Sequence, residues 1–207
     1  MSIQPGDHLP DAVIPVIDGG TQPQSIPALC AGRKVLLFAV PGAFTPTCSN
    51  KHLPGYVQHF QTFRERDITL MCLSVNDAYV MQAWATSQQV PPGLLMLADG
   101  NATFTRALGL ELDGSAYGMG LRARRFALYA EDGVVRLLQV EAPGEFRVSN
   151  AEAMLEAIAA INTKRSVHSS SEATDSGGLP TLKNRRYRST GSCVGYAMGQ
   201  TSRRNCR

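Results

Sequence analysis

Apolar residues recur along this chain with two periods, and the two periods alternate. Short apolar runs typical of buried strands stand at residues 12–16, 35–40, 68–75, 94–98, 125–129 and 134–140. Helical spacing of apolar residues predicts helices over residues 49–66, 78–88, 102–108 and 151–161. Strands that alternate with helices, then a hairpin and a closing helix, predict an α/β fold with a central mixed sheet and helices on both faces.

Two local signals refine this picture. Residues 131–133, Glu-Asp-Gly, predict the turn between the last two strands. Ser149 or Asn150 is suited to cap the final helix, because a short polar side chain accepts a hydrogen bond from a free N–H of the first turn.

Charge and composition divide the chain near residue 163. Residues 164–207 carry nine Lys and Arg against two acids, a balance of +7, whereas residues 1–163 have a balance of −4. The segment after the boundary is also rich in Ser, Gly and Arg and poor in aliphatic residues. We therefore predict a folded domain over residues 1–163 and a disordered basic tail over residues 164–207.

The first residues show neither the basic and apolar regions of a secretory signal nor an Arg- and Ser-rich transit pattern. No apolar run approaches the roughly 18 residues that a membrane-spanning helix needs. We therefore expect a cytoplasmic protein without a membrane span.

The five cysteines, Cys30, Cys48, Cys72, Cys193 and Cys206, form no CxxC pair and have no regular spacing. This pattern argues against a zinc ribbon, a secreted disulfide framework and a dithiol oxidoreductase. No metal-ligand cluster and no phosphate-binding glycine loop is present either. We expect reduced thiols and no metal or other cofactor.

Cys48 is the cysteine whose surroundings suggest reactivity. It follows the apolar strand at 35–40 and a loop of sequence PGAFTPT, and it precedes a segment with helical periodicity. Unpaired N–H groups and the helix dipole favour a thiolate at a helix N-terminus, and the thiolate is the nucleophilic form. Cys48 is therefore the leading candidate for a catalytic residue.

The sequence around Cys48 resembles the active-site stretch of peroxiredoxins of the atypical type II group. The matching residues are PGAFTPTCS at 41–49 and HLPG at 52–55, with further matches at 74–77, 81–85, 97–100, 107–113 and 122–128. The resemblance spans residues 4–162 and leaves the tail without a counterpart. It implies a thioredoxin-like fold.

The resemblance implies a thiol peroxidase that reduces hydrogen peroxide and organic hydroperoxides through a sulfenic acid on Cys48. Breaking the O–O bond puts negative charge on the leaving oxygen, which requires fixed donors. The resemblance assigns the guanidinium that holds the thiolate and the polarised oxygen to Arg125, and a hydrogen bond with the peroxide to Thr45. Pro41 and Gly42 would complete the substrate-binding loop.

Each assignment has a simpler alternative. Thr45 is also a common turn residue before Pro46. Arg122 or Arg124 could replace Arg125, since neighbouring residues of a strand point to opposite faces. His52, four residues after Cys48, either tunes the thiolate or makes a structural hydrogen bond. Pro54 should kink the helix.

The sulfenic acid needs a reducing thiol. Animal relatives carry a resolving cysteine ahead of the last helix, but residues 144–150 contain none. Cys72 is a candidate resolving residue, although its apolar strand indicates a buried structural role. Cys30 appears in a loop after Pro27 as a bystander, and Cys193 and Cys206 are tail alternatives. We favour an external reductant, either glutaredoxin with glutathione or thioredoxin.

Two further expectations concern partners. The resemblance implies a non-covalent homodimer. The basic tail, with its interleaved tyrosines, is the part of the chain suited to bind anionic surfaces or phosphate backbones, and outside it we expect no nucleic-acid binding. The alternative function is a redox sensor that signals through oxidation of Cys48.

Overall fold

The computed structural model describes residues 1–172, with side chains described through Lys164. The prediction of disorder beyond Glu172, and the tail thiols Cys193 and Cys206, lie outside the described residues. The described strands are β1 (Val13–Ile17), β2 (Thr21–Ser25), β3 (Lys34–Val40), β4 (Ile68–Ser74), β5 (Leu95–Ala98), β6 (Glu111–Asp113), β7 (Leu121–Ala123), β8 (Phe126–Glu131) and β9 (Val134–Val140). The helices are α1 (Ile26–Cys30), α2 (Leu53–Gln58), α3 (Phe60–Glu65), α4 (Ala78–Ser87), α5 (Thr103–Leu108) and α6 (Ala151–Glu172).

Seven of these strands form one mixed sheet in the order β2-β1-β5-β4-β3-β8-β9. The central strands β3, β4 and β5 are parallel, whereas β8 is antiparallel to β3 and β1 is antiparallel to β5. The predicted mixed sheet is confirmed. β6 and β7 form a separate two-stranded ribbon.

Helices cover both faces of the large sheet. Alternate residues of β3 face opposite sides, so that Leu37 lies in one apolar cluster and Phe38 in the other. The first cluster includes residues of α1 and α5, and the second includes residues of α2, α3, α4 and α6. Cys48 and Cys72 belong to the second cluster, and Cys30 belongs to the first.

The local turn and cap signals are borne out in detail. Asp132 and Gly133 both have positive φ angles, 51° and 75°, and they connect β8 directly to β9 as a two-residue hairpin loop. Asn150 caps α6, since its Oδ1 accepts a hydrogen bond of 2.8 Å from the N–H of Ala153.

The structure departs from the predicted elements in five places. The ribbon β6–β7 and the edge strand β2 were not predicted. Cys30 was expected in a loop but ends the short helix α1, because Pro27 stands in the first turn, where its missing N–H costs nothing. The helix predicted at 49–66 is divided, with a break at His59 between α2 and α3. α6 continues from the expected end at 161 to Glu172, since no Gly or Pro stops it there, so residues 164–172 of the predicted disordered tail are helical.

Candidate active site

The site lies where β3 ends. Cys48 follows β3 after a seven-residue loop, and the antiparallel neighbour β8 begins at the same edge, with Ala39 paired to Phe126. Arg125 immediately precedes Phe126, so the strand register carries it to the loop that holds Cys48. The sheet topology thus brings together two residues that are 77 positions apart.

The loop from Pro41 to Thr47 is tied down by polar contacts. The Thr45 hydroxyl donates to the carbonyl oxygen of Gly42 at 2.9 Å, and the N–H of Ala43 donates to Asn76 Oδ1 at 3.0 Å. A Cβ atom on Gly42 would lie 3.2 Å from the Thr45 methyl group, so a larger residue at position 42 would crowd the Thr45 side chain. Because the Thr45 hydroxyl donates its hydrogen to Gly42, its oxygen can act towards a substrate only as an acceptor.

Cys48 opens a π-helical turn, Cys48–His52, that runs directly into α2. The N–H of Leu53 donates to the carbonyl of Cys48, five residues back. Pro54 lacks an N–H and would clash with the carbonyl four residues earlier, which accounts for the wider turn ahead of it. Pro54, which the sequence predicts to kink this helix, is thus directly preceded by a wider, π-helical turn.

Arg125 contacts both Cys48 and His52. Its Nη2 lies 3.5 Å from Cys48 Sγ, and its Nη1 donates to His52 Nδ1 at 2.9 Å. Cys48 is fully buried and Arg125 is half-buried. The other arginines bond elsewhere: Arg122 donates to the carbonyl oxygens of Val75 and Met119, and Arg124 to that of Glu141.

His52 is held as a neutral imidazole. Its Nε2 donates to the carbonyl oxygen of Ser149 at 3.0 Å, which leaves the Nδ1 lone pair to accept from Arg125. Burial, and then the charge of Arg125, lower the pKa of His52 to about 3. His52 therefore makes a structural hydrogen bond, to the carbonyl oxygen of Ser149. It also accepts a hydrogen bond from Arg125, the arginine beside Cys48.

A cleft of about 290 Å³ reaches Arg125 and the two ends of the Cys48 loop, but Gly42, Thr45 and Cys48 do not line it. Its lining includes Pro41, Thr47 and Arg125, together with the apolar side chains of Leu112 and Met119. A larger depression of about 420 Å³ lies near Asp18 and Pro91, but no cysteine or arginine lines it. Side-chain chemistry rather than volume identifies the site.

The other two described cysteines are buried thiols. Burial, and then the neighbouring Cys48, raise the pKa of Cys72 well above its ordinary value. Burial raises the pKa of Cys30 to about 11, against a smaller opposing effect of Arg33. Cys72 shares an apolar cluster with Cys48, whereas Cys30 lies across the sheet. Within residues 1–172, no group of His, Cys, Asp and Glu is arranged to hold a metal ion.

Sequence reasoning missed several residues that support the site. Glu141 and Ser149 hold the loop that contacts His52, and the Phe146 ring lies 5.6 Å from the Arg125 guanidinium carbon. Trp84 Nε1 donates to the hydroxyl of Ser49, the residue after Cys48. The one available signal was an acid directly after an apolar strand, which marks Glu141 without revealing its partners.

Comparison with known proteins identifies the family. The family model described as Redoxin matches residues 4–155. Peroxiredoxin-2C of Oryza sativa subsp. japonica is 46% identical over 156 residues, which cover 74% of this chain and 96% of the relative. The chain belongs to the peroxiredoxins. Peroxiredoxin-2E, chloroplastic, of Arabidopsis thaliana is also 46% identical, over 163 residues that cover 76% of this chain and 70% of the relative.

Solved peroxiredoxin structures have the same fold. The crystal structure of reduced Prx3 in complex with H2O2 from Vibrio vulnificus has a TM-score of 0.71 and 49% identity to this peroxiredoxin, covering 75% of this chain and 95% of that one. The predicted thioredoxin-like fold and peroxiredoxin family are confirmed. The protein is accordingly a thiol-dependent peroxidase, an oxidoreductase. No helix among the described residues has the length and apolar character to cross a membrane.

Proposed function

We propose that Cys48 is the nucleophile of this peroxidase and that Arg125 and Thr45 stabilise its transition state. The observation that carries the proposal is the guanidinium of Arg125, 3.5 Å from Sγ of a thiol in the first helical turn after β3. The cation favours the thiolate, and the free N–H groups of the helix start add to this effect.

The proposed reaction is the reduction of a hydroperoxide by the Cys48 thiolate. The Cys48 thiolate attacks one oxygen of the hydroperoxide, an S–O bond forms as the O–O bond breaks, and the leaving oxygen takes a proton to become water or an alcohol. Arg125 offsets the charge that develops on the leaving oxygen. Thr45 accepts a hydrogen bond from the peroxide hydroxyl, while Pro41 and Gly42 shape the loop around it. The product is a sulfenic acid on Cys48.

An external thiol then restores Cys48. It attacks the sulfenic sulfur to give a mixed disulfide and water, and a second thiol releases the Cys48 thiolate. Glutathione with glutaredoxin, or thioredoxin, supplies these thiols. The burial and raised pKa of Cys72 support this choice, because a protonated buried thiol is a poor resolving nucleophile. Cys72 remains the internal candidate.

Cysteine variants test the catalytic assignment. Cys48→Ser should abolish peroxide turnover, whereas Cys30→Ser, on the opposite face of the sheet, should keep it. One equivalent of hydrogen peroxide with a sulfenic-acid trap should place the adduct on Cys48 in a peptide map. An adduct on another cysteine, or full turnover by Cys48→Ser, would overturn the assignment. A slow reaction with peroxide would favour the sensor alternative.

The reductant is tested by adding glutaredoxin with glutathione, or thioredoxin with its reductase, to the full chain. We expect Cys72→Ala to turn over with at least one of these systems at the wild-type rate. A full chain with both Cys193 and Cys206 changed to Ser should do the same. Loss of turnover in either variant would identify an internal resolving thiol.

Three broader assignments belong to this proposal. We infer a catalytic domain over residues 1–163 with a basic tail, tested by limited trypsin digestion and assay of the product. We infer a non-covalent homodimer, consistent with the exposed side chain of Phe44 in the Cys48 loop, tested by light scattering. We also infer a cytoplasmic location, although two relatives are named as chloroplastic, and a fluorescent fusion of the full chain tests it.

A further inference from the structure

Glu141 is a buried carboxylate with an unusual set of partners. It follows β9 directly and is 4% exposed. One of its oxygens, Oε1, accepts four hydrogen bonds of 2.8 Å, from the N–H groups of Arg147, Val148 and Ser149 and from the Ser149 hydroxyl. Its other oxygen, Oε2, has no hydrogen-bond partner among the described residues. The carboxylate thus binds three consecutive residues of one loop through their backbone N–H groups.

The loop of residues 144–150, which Glu141 binds, contacts the active site at two points. The carbonyl oxygen of Ser149 accepts hydrogen bonds from His52 Nε2 at 3.0 Å and from the Tyr56 hydroxyl at 2.8 Å. The Phe146 ring packs edge-on against His52, with 4.9 Å between centroids. The same ring lies against the guanidinium of Arg125. The shape of the loop therefore sets the position of both groups that adjoin Cys48.

A continuous series of contacts leads from Glu141 to the thiol. Glu141 fixes the Ser149 carbonyl, which orients His52 as the Nε2–H tautomer. His52 then presents its Nδ1 lone pair to Arg125 at 2.9 Å, and Arg125 directs its second nitrogen to Cys48. The backbone also connects the two ends of this series directly, since the N–H of Glu141 donates to the carbonyl oxygen of Arg125 at 2.9 Å.

We propose that Glu141 is a positioning residue of the peroxidase, whose carboxylate holds the loop of residues 144–150 in the shape that fixes His52 and Arg125 against Cys48. This inference rests on the proposed function of Cys48 and Arg125. Glu141 lines the cleft, but its Oε1 is occupied by the four hydrogen bonds from residues 147–149, so its effect reaches Cys48 through the loop. A displacement of about 1 Å at a positioned group costs up to about a hundredfold in rate.

The test compares Glu141→Gln with Glu156→Gln, an exposed glutamate of α6, in the full chain. Glutamine keeps an acceptor at the position of Oε1 but removes the charge that strengthens the four bonds. We expect the second-order rate constant with hydrogen peroxide to fall about tenfold. The pH midpoint for alkylation of Cys48 by iodoacetamide should rise, because Arg125 no longer holds the thiolate. The control should change neither quantity.

Both readouts are needed to separate positioning from stability. A Glu141→Gln protein that is folded and less stable, but has the wild-type rate constant and alkylation midpoint, would overturn the proposal. If Glu141→Gln does not fold, Ser149→Ala decides, since it removes one of the four bonds and keeps the backbone. We expect a loss of about twofold to threefold there, in keeping with one weakened bond. Unchanged kinetics in Ser149→Ala would then overturn the proposal.

Failure of the underlying function gives a different result. If Cys48 is not the nucleophile, the wild-type protein and its Cys48→Ser variant react with peroxide at the same rate. If only the role of Glu141 is wrong, the wild type exceeds Cys48→Ser and equals Glu141→Gln.

Discussion

Arg125 is the residue on which the proposed chemistry depends most strongly. Its guanidinium contacts His52 and Cys48 through different nitrogens, at 2.9 Å and 3.5 Å. Two unit charges 3.5 Å apart interact by about 5 kcal/mol at an effective dielectric constant of 20. Arg125 is half-buried, so solvent reduces this value, and a charge-assisted hydrogen bond of roughly 1.5–3 kcal/mol is the better guide.

Arg125→Gln should therefore lower the second-order rate constant with hydrogen peroxide by roughly 12-fold to 140-fold, since 1.4 kcal/mol corresponds to about tenfold. Arg125→Lys keeps the charge, but a single ammonium cannot replace the planar fork that spans both partners. We expect it to lose less than Arg125→Gln, at most about tenfold. The order wild type, Lys, Gln is the specific prediction.

Stopped-flow mixing at pH 7 measures these constants directly, with Arg136→Gln as the control. Arg136 lies exposed on β9 and pairs with Glu131 at the surface, away from Cys48. An Arg125→Gln constant within twofold of the wild type would refute the reasoning. A lysine variant as slow as the glutamine variant would show that the fork, rather than the charge, carries the effect.

Trp84, Asp99 and His52 each support a further prediction. Trp84 is the only tryptophan of the chain and bonds Ser49, so its fluorescence should change when peroxide is added, and should stay constant in Cys48→Ser. Asp99 is buried and accepts hydrogen bonds from two N–H groups at the start of α5; Asp99→Ala should cost about 2–4 kcal/mol in urea unfolding, and a loss below about 0.5 kcal/mol would contradict this. Burial, and then the charge of Arg125, lower the pKa of His52 to about 3. Between pH about 6.5 and 3 only the unfolded chain binds this proton, so the free energy of unfolding decreases as the pH is lowered through this range. From pH 7 to pH 5 the wild type should lose about 2 kcal/mol more than His52→Gln, and equal losses in urea titrations at the two pH values would exclude this linkage.

The central strands could be predicted because each is a single apolar run. β3 is buried from its second residue onward, and the sequence shows this directly. β2 has the sequence TQPQS and lies at the sheet edge, paired only with β1, so neither periodicity nor apolar content marks it. The three-residue strands of the ribbon are too short to show a period.

The site divides in the same way. Cys48 could be assigned from its position after a strand, because helix starts impose a recognisable local chemistry. Arg125 needed the family resemblance, since three arginines stand within four positions and only the register of β8 distinguishes them. Glu141 could not be assigned, because a glutamate in sequence is usually exposed and its partners are fixed by a loop in three dimensions.

Cys48 lies at 0% exposure in the same packed cluster as Tyr56, Trp84 and Met154. In the proposed cycle a protein reductant is too large to enter the cleft, so recycling requires the π-helical turn that holds Cys48 to open. The free energy of that opening sets how long a sulfenic acid stays in reach of a second peroxide, which converts it to the irreversible sulfinic acid. Tighter packing around Cys48 would thus make the fold more durable and the catalyst shorter-lived.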